Sequence, residues 1–349
     1  MEEDEISHNY DDGNRAFLQA FMARGTMTFS QAQAILAAIF TAQDKLEFER
    51  NPRDDEEPDL TQPEQVTKED FESYVSAASA AISEFDMEIR STIHQVTKER
   101  VYALVNTTSD PVTQLATLHS PEEIAFVRRV IDAMFDKHNT PRMEALCLDG
   151  MQANKLRTAP RTTAAAADDD GEHANGEAGA DGETQTQSGG GLRGLKSSEV
   201  EAVMRSMVDE GWFERSREGF YSLSPRALME LRSWLINAYN DADAEPDEWQ
   251  RVKFCLACRE IVTVGQRCAE RDCLARLHDI CEDAFWRSRR DKKCPRCETD
   301  WDGRHFVGER AVTETEAYQR GRRRSGRGGG RSSLVEQIMD DGEGGEDEE

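Results

Sequence analysis

Cys255, Cys258, Cys268, Cys273, His278, Cys281, Cys294 and Cys297 run in the order four Cys, one His, three Cys, and take up seven of the eight cysteines in the chain. Two C-x-x-C pairs bracket the stretch, and an H-x-x-C pair lies inside it. A short pair places two ligands on one tight turn, within reach of one tetrahedral Zn²⁺ at about 2.3 Å per sulfur. Four pairs make two four-ligand sites with no position left for water. Closed sites of this kind are structural; hydrolytic zinc keeps an open position. The competing chemistry is a disulfide scaffold, which needs an oxidising compartment. The opening Met-Glu-Glu-Asp-Glu-Ile is acidic and has no apolar run of the kind a secretory signal carries. Seven Cys and one His are also an odd set for disulfides and the right set for two zinc ions.

Other reactive side chains are less telling. Cys147 is a candidate thioester-forming nucleophile, but it falls among Met143 and Leu146 with no neighbouring His, the setting of a buried structural cysteine. His305 lies beyond the last ligand and reads as a surface histidine. Arg287, Arg289, Arg290, Lys292, Lys293 and Arg296 form a basic run that suits DNA or an acidic partner, or simply a solvated face. The whole chain of 349 residues has a net charge of −26 and a pI of about 4.7, which argues against a generic nucleic-acid coat. Residues 251 to 297 go the other way, with twelve Lys/Arg against seven Asp/Glu. No apolar run approaches the ~20 residues that cross a bilayer.

The elements that must carry the zinc module precede it. Residues 1–13 are acidic and expected to be disordered. Asn14 is placed to cap a helix through Phe17, Leu18, Phe21 and Met22, ended by Gly25. Ser30 is placed to cap a second, with Ile35, Leu36, Ile39 and Phe40 inward. Thr67 with Asp70 opens a third, carrying Phe71, Tyr74, Val75, Ala78 and Ile82. The period then shifts to alternation at Phe85, Met87 and Ile89 and again at Val101, Ala103 and Val105, two strands joined by a turn near Gln95 to Glu99. Three helices followed by a hairpin is the order of a winged helix.

The order recurs. Ser120-Pro121-Glu122-Glu123 is a capping box with Pro at the first helical position. A short helix is expected at Met143, Leu146 and Cys147, and a third opens at Ser198 with Glu201 and stops at Gly211. Trp212-Phe213 and Phe220-Tyr221 flank a turn at Gly219, and Ser224-Pro225 starts a helix toward the zinc module. The fold class expected is α+β: winged helix 1 over 14–110, winged helix 2 over 115–245, and a zinc domain over 250–305. Residues 158–192 are nearly devoid of apolar side chains and read as a disordered acidic insertion. Residues 310–349 read as a disordered tail, Arg/Gly-rich and then acidic. The third helices, over 68–84 and 199–210, are acidic and would repel phosphate, so protein binding rather than groove reading is expected of them. Phe17, Phe21, Phe71, Tyr74, Trp212 and Trp234 are too many to be all core, so a partner is expected to cover some of them.

The zinc stretch resembles a RING finger. Leu256 follows the first ligand, twelve residues separate Cys281 from Cys294, and Pro295 gives a Cys-Pro-x-Cys closure. RING fingers are cross-braced, which implies Cys255, Cys258, His278 and Cys281 on one zinc and Cys268, Cys273, Cys294 and Cys297 on the other. A PHD finger has the same ligand order, but Lys292 stands where its usual aromatic would be. With tandem winged helices ahead of it, and with Arg142 to Met151 and Glu210-Gly211-Trp212-Phe213, the chain resembles a fungal form of the RING-like non-SMC element subunit, number one, of the Smc-five/Smc-six genome-maintenance complex. The likeness covers roughly residues 14 to 305. It implies a nuclear, chromatin-associated protein that pairs with a MAGE-type winged-helix subunit and a kleisin subunit near the Smc heads. It also implies ubiquitin ligase activity in DNA repair, with Leu256 and Pro295 contacting the ubiquitin-conjugating enzyme. Glu298 departs from the basic residue that many active RINGs carry after the last ligand. A docking subunit without ligase activity and a PHD-like chromatin reader are the alternatives. The Arg-rich segments suit contact with DNA.

Overall fold

The computed structural model describes residues 10–51, 60–107, 118–159, 193–245, 247–324, 334–335 and 337–339. Most of the acidic insertion, the first nine residues and the Arg/Gly and acidic parts of the tail lie outside them.

The first unit holds α1 (Asp12–Arg24), β1 (Thr26–Thr28), α2 (Phe29–Arg50), α3 (Lys68–Ile82), β2 (Met87–Ile93) and β3 (Arg100–Asn106). Asp11, not Asn14, caps α1 by accepting from the Asn14 amide, and Gly25 closes the helix at φ 69°. Thr28, not Ser30, caps α2 in a reciprocal box with Gln31. The expected Thr67–Asp70 box opens α3. Strand β1 carries no period of its own, yet it pairs antiparallel with β3, giving the sheet order β1-β3-β2. Phe17, Phe21, Leu36 and Phe71 are fully buried between helices and sheet, and the Phe71 ring meets Tyr102 edge-on at 4.8 Å.

The second unit holds α4 (Pro121–Asp132), β4 (Leu148–Asp149), α5 (Gly150–Lys155), α6 (Ser197–Asp209), β5 (Phe213–Arg215) and β6 (Phe220–Leu223), with sheet order β4-β6-β5. The expected helix at Met143 to Cys147 is absent. Leu146 has φ 49°, and Glu144 is drawn into β-bridges with Asn139 and Val307. The helix begins later, at the Asp149 cap. Helix α6 starts one residue before Ser198; the Glu199 carboxylate accepts from the Lys196 amide, so the expected Ser198–Glu201 box does not form. Helices α7 (Pro225–Glu230) and α8 (Arg232–Tyr239) lead to the zinc module, whose sheet is β8 (Arg276–Leu277), β7 (Gly265–Arg267), β9 (Phe306–Val307), flanked by α9 (Asp279–Arg287).

One apolar core runs from Phe126 and Phe135 of the second unit through Leu235 to Cys255, Trp286 and Trp301, so the zinc module shares its interior with its neighbour. The first unit meets both at its hairpin tip. His94 Nε2 lies 3.0 Å from Glu214 Oε1. Gln95 donates to the Ile261 carbonyl and accepts from the Thr263 and Val264 amides.

Not all six singled-out aromatics are core, as expected, whereas the expectation for the tail is corrected. Phe17, Phe21, Phe71 and Trp212 are core, and only Tyr74 and Trp234 of the six aromatics are part-exposed; the apolar side chains left open are instead Met22, Phe85, Val96 and Leu118 among others. The tail is ordered past residue 310: α10 (Arg310–Thr313) and α11 (Glu316–Arg324) bury Val312 and Tyr318 against the second unit. In the sequence these two side chains are hidden among charged neighbours.

Candidate metal centre

The ligand atoms of Cys255, Cys258, His278 and Cys281 lie within 4.8 Å of one another, and so do those of Cys268, Cys273, Cys294 and Cys297. Pairs distant in sequence are thus interleaved. The sulfurs of Cys268 and Cys297 are 3.4 Å apart and those of Cys273 and Cys294 3.6 Å. A disulfide needs about 2.05 Å; a tetrahedral zinc thiolate site puts sulfurs about 3.7 Å apart. The His278 Nδ1 atom is 3.3 Å from Cys258 Sγ and 3.9 Å from Cys281 Sγ, while Nε2 faces the Ile261 carbonyl at 3.1 Å. An Nε2–H donating to that carbonyl leaves the Nδ1 lone pair toward the sulfurs, the orientation a metal-bound histidine needs. Burial pushes the thiols of Cys273 and Cys281 up to about 11. A divalent cation at each centre would make them thiolates. The donor set fits zinc.

The two C-x-x-C pairs are held by local backbone turns. The Cys255 amide donates to Glu260 O, the Arg259 amide returns to Cys255 O, and Arg259 sits at φ 64°. The same turn recurs at the other end: Cys294 N to Thr299 O, Glu298 N to Cys294 O, and Glu298 at φ 61°. The residue after each C-x-x-C is therefore left-handed, and Glu298 owes its conformation to the turn. His278 and Cys281 come from the start of α9. Gly265 is required where β7 crosses β8, because a Cβ there would collide with the Leu277 carbonyl.

A family model described as the Nse1 non-SMC component of the SMC5-6 complex matches residues 14–231. The chain belongs to that family. A RING-like domain model matches residues 255–297, the span of the two ligand groups. Among Nse1-family relatives, the non-structural maintenance of chromosomes element 1 of Schizosaccharomyces pombe is 24% identical over 237 residues, covering 68% of this chain and 79% of that protein. The Xenopus laevis homolog is 22% identical over 299 residues, 85% of each chain. The Rattus norvegicus homolog is 20% identical over 293 residues, 83% and 84%. A solved structure, the Nse1-Nse3-Nse4 complex, superposes with a TM-score of 0.57 at 20% identity, covering 84% of this chain and 97% of that one, a likeness of fold.

The residues that fix the RING-like module to the rest carry no signature in the sequence. Glu144, 2% exposed, pairs with the fully buried Arg276 through both carboxylate oxygens. Lys253 Nζ and Arg267 Nη1 approach it at 3.4 and 3.5 Å. Burial alone would raise the Glu144 carboxyl, but Arg276, then Lys253 and Arg267, outweigh it and bring the pKa down to about 2. Arg276 also donates to the carbonyls of Cys273 and Ala275, so the network reaches a ligand loop. The one available signal is a single acidic residue in the apolar run Met143 to Leu148.

Of the remaining candidates, Leu256 is half-buried and Pro295 exposed. The basic run from Arg287 to Arg296 is solvent-facing, with Lys292 3.5 Å from Glu282 and Arg289 over the Phe285 ring. Cys147 is buried and its thiol pKa is raised by desolvation, which removes it as a nucleophile. His305 is part-exposed, 3.7 Å from Asp302, and belongs to neither ligand group.

Proposed function

We propose that the chain is a subunit of the SMC5-6 complex and acts there as a RING-type ubiquitin ligase, in DNA repair, in the nucleus on chromatin. Cys255, Cys258, His278 and Cys281 hold one Zn²⁺; Cys268, Cys273, Cys294 and Cys297 hold the second. The two ions supply structure, since closed sites leave no coordination position for a reacting group. The observation that carries the reading is the interleaving of the two ligand groups, which fits a cross-braced RING.

Such a module supplies no nucleophile. It would hold a charged conjugating enzyme so that its thioester is poised for attack, a positioning effect. Leu256 and Pro295 are the contacts assigned to that enzyme, and the exposed Pro295 is consistent with the role. The two helix-and-sheet units are read as tandem winged helices that bind protein. The similar fold within the Nse1-Nse3-Nse4 complex supports Nse3, the MAGE-type subunit, and Nse4, the kleisin, as partners. Contact with the Smc heads follows from the same reading, and the Arg-rich segments are assigned to DNA. An NMR titration of the zinc-loaded chain with a conjugating enzyme tests the surface: shifts should centre on Leu256 and Pro295, and shifts confined elsewhere would sink the assignment.

A second reading, a docking subunit without ligase activity, is favoured by Glu298. It puts an exposed anion directly after the last ligand, where many active RINGs place a cation that braces ubiquitin. A PHD-like chromatin reader has less support, because Lys292 and Pro295 break its pattern.

A further inference from the structure

Leu334, Val335 and Gln337 to Met339 have helical backbone. Val335, Ile338 and Met339 are 3%, 7% and 3% exposed, although the ten residues after Met339 are all Asp, Glu or Gly. They are buried in an apolar cluster with Ala145, Cys147 and Phe220 of the second unit and Val312 and Tyr318 of the post-RING helices. Leu334 packs so closely on α11 that a Cβ at Gly321 would collide with its methyl. The Gln152 side-chain amide meets the Met339 sulfur at 2.7 Å.

We propose that this groove is a docking site for a short amphipathic helix with apolar pairs four residues apart, and that Leu334, Val335, Ile338 and Met339 occupy it in cis and mask it. The spacing Leu334-Val335 and Ile338-Met339 puts all four side chains on one face of a helix, the pattern of helix-in-groove recognition. Ordering the segment offsets most of what its four apolar side chains gain, so it is held because it belongs to the same chain and is present at high local concentration. A partner helix of the same pattern would displace it. Because the groove is built from both the second unit and the post-RING helices, its occupancy ties the two together.

The test uses the full zinc-loaded chain and a variant carrying Ile338→Asp and Met339→Asp, which undocks the segment without deleting it. The probe is a fluorescein-labelled peptide of residues 331–341. The variant should bind it saturably, and wild type at least tenfold more weakly. The peptide bearing the same two Asp substitutions should bind neither. Alkylation of Cys147, followed by mass spectrometry, should be at least tenfold faster in the variant. Failure of the peptide to bind a variant that keeps its zinc and its melting temperature overturns the proposal, as does equal binding to wild type. A wild-type dimer that dissociates in the variant overturns the cis assignment, since the segment would then belong to a second copy.

Discussion

Replacing Glu144 with Gln removes the anion from a buried cluster while keeping its shape. Arg276 is fully buried, and Arg267 is 7% exposed. At an effective dielectric of about 20, a unit charge pair near 3.5 Å is worth about 5 kcal/mol. Desolvation and the mutual repulsion of three cations offset much of that. Lys253, already lowered to about 7 mainly by burial, can shed its proton and relieve one charge. The two arginines remain. Loss of one partner from a buried ion pair costs about 3–5 kcal/mol, and that is the destabilisation expected of Glu144→Gln. The assay is urea unfolding of the zinc-loaded chain, comparing midpoints at constant slope. Chelator-driven zinc release should also quicken, because Arg276 holds the Cys273 carbonyl. A loss below about 1 kcal/mol with unchanged zinc release would mean that the cluster is solvated and does not anchor the module.

Purified chain should carry two Zn²⁺, and Cys268→Ser should release one and unfold part of residues 251–305, read by metal analysis and circular dichroism; a folded, metal-free module would refute the zinc reading. Gln95→Ala should cost about 1–3 kcal/mol by leaving the Thr263 and Val264 amides without their acceptor, with faster amide exchange at 261–264; unchanged exchange there would contradict it. Deleting residues 160–190 should leave melting nearly unchanged, because the flanks already meet, Leu195 N to Arg157 O at 3.0 Å; a drop of many degrees would show that the segment packs.

What could be read from the sequence was whatever one residue type at one spacing decides. The eight Cys and His that gather into two groups, the Thr67–Asp70 and Ser120–Glu123 caps, and the alternation in β2 and β3 are of this kind. What could not be read depended on distant partners. Thr28 competes with Ser30 as a cap, and only Gln31 at the right distance settles it. Met143, Leu146 and Cys147 have helical spacing, yet Val307 of the zinc module pulls Glu144 into an extended bridge. The buried Glu144–Arg276 pair joins residues 132 apart, and no local pattern announces it. The few apolar residues of the tail are diluted by Arg, Gly and Glu, a composition that suggests solvation; their burial depends on a groove that only the assembled fold provides.

The central claim, that the RING-like module transfers ubiquitin by positioning a conjugating enzyme, is met most directly by thioester discharge. Wild type, Leu256→Ala and Glu298→Arg should be assayed alone and with the MAGE-type partner. Discharge should be faster with partner than without, should fall on Leu256→Ala while assembly is retained, and should rise on Glu298→Arg. Equal rates with and without partner would remove partner dependence. No discharge by any variant or complex, with any conjugating enzyme tested, would contradict the claim and leave the docking subunit in its place.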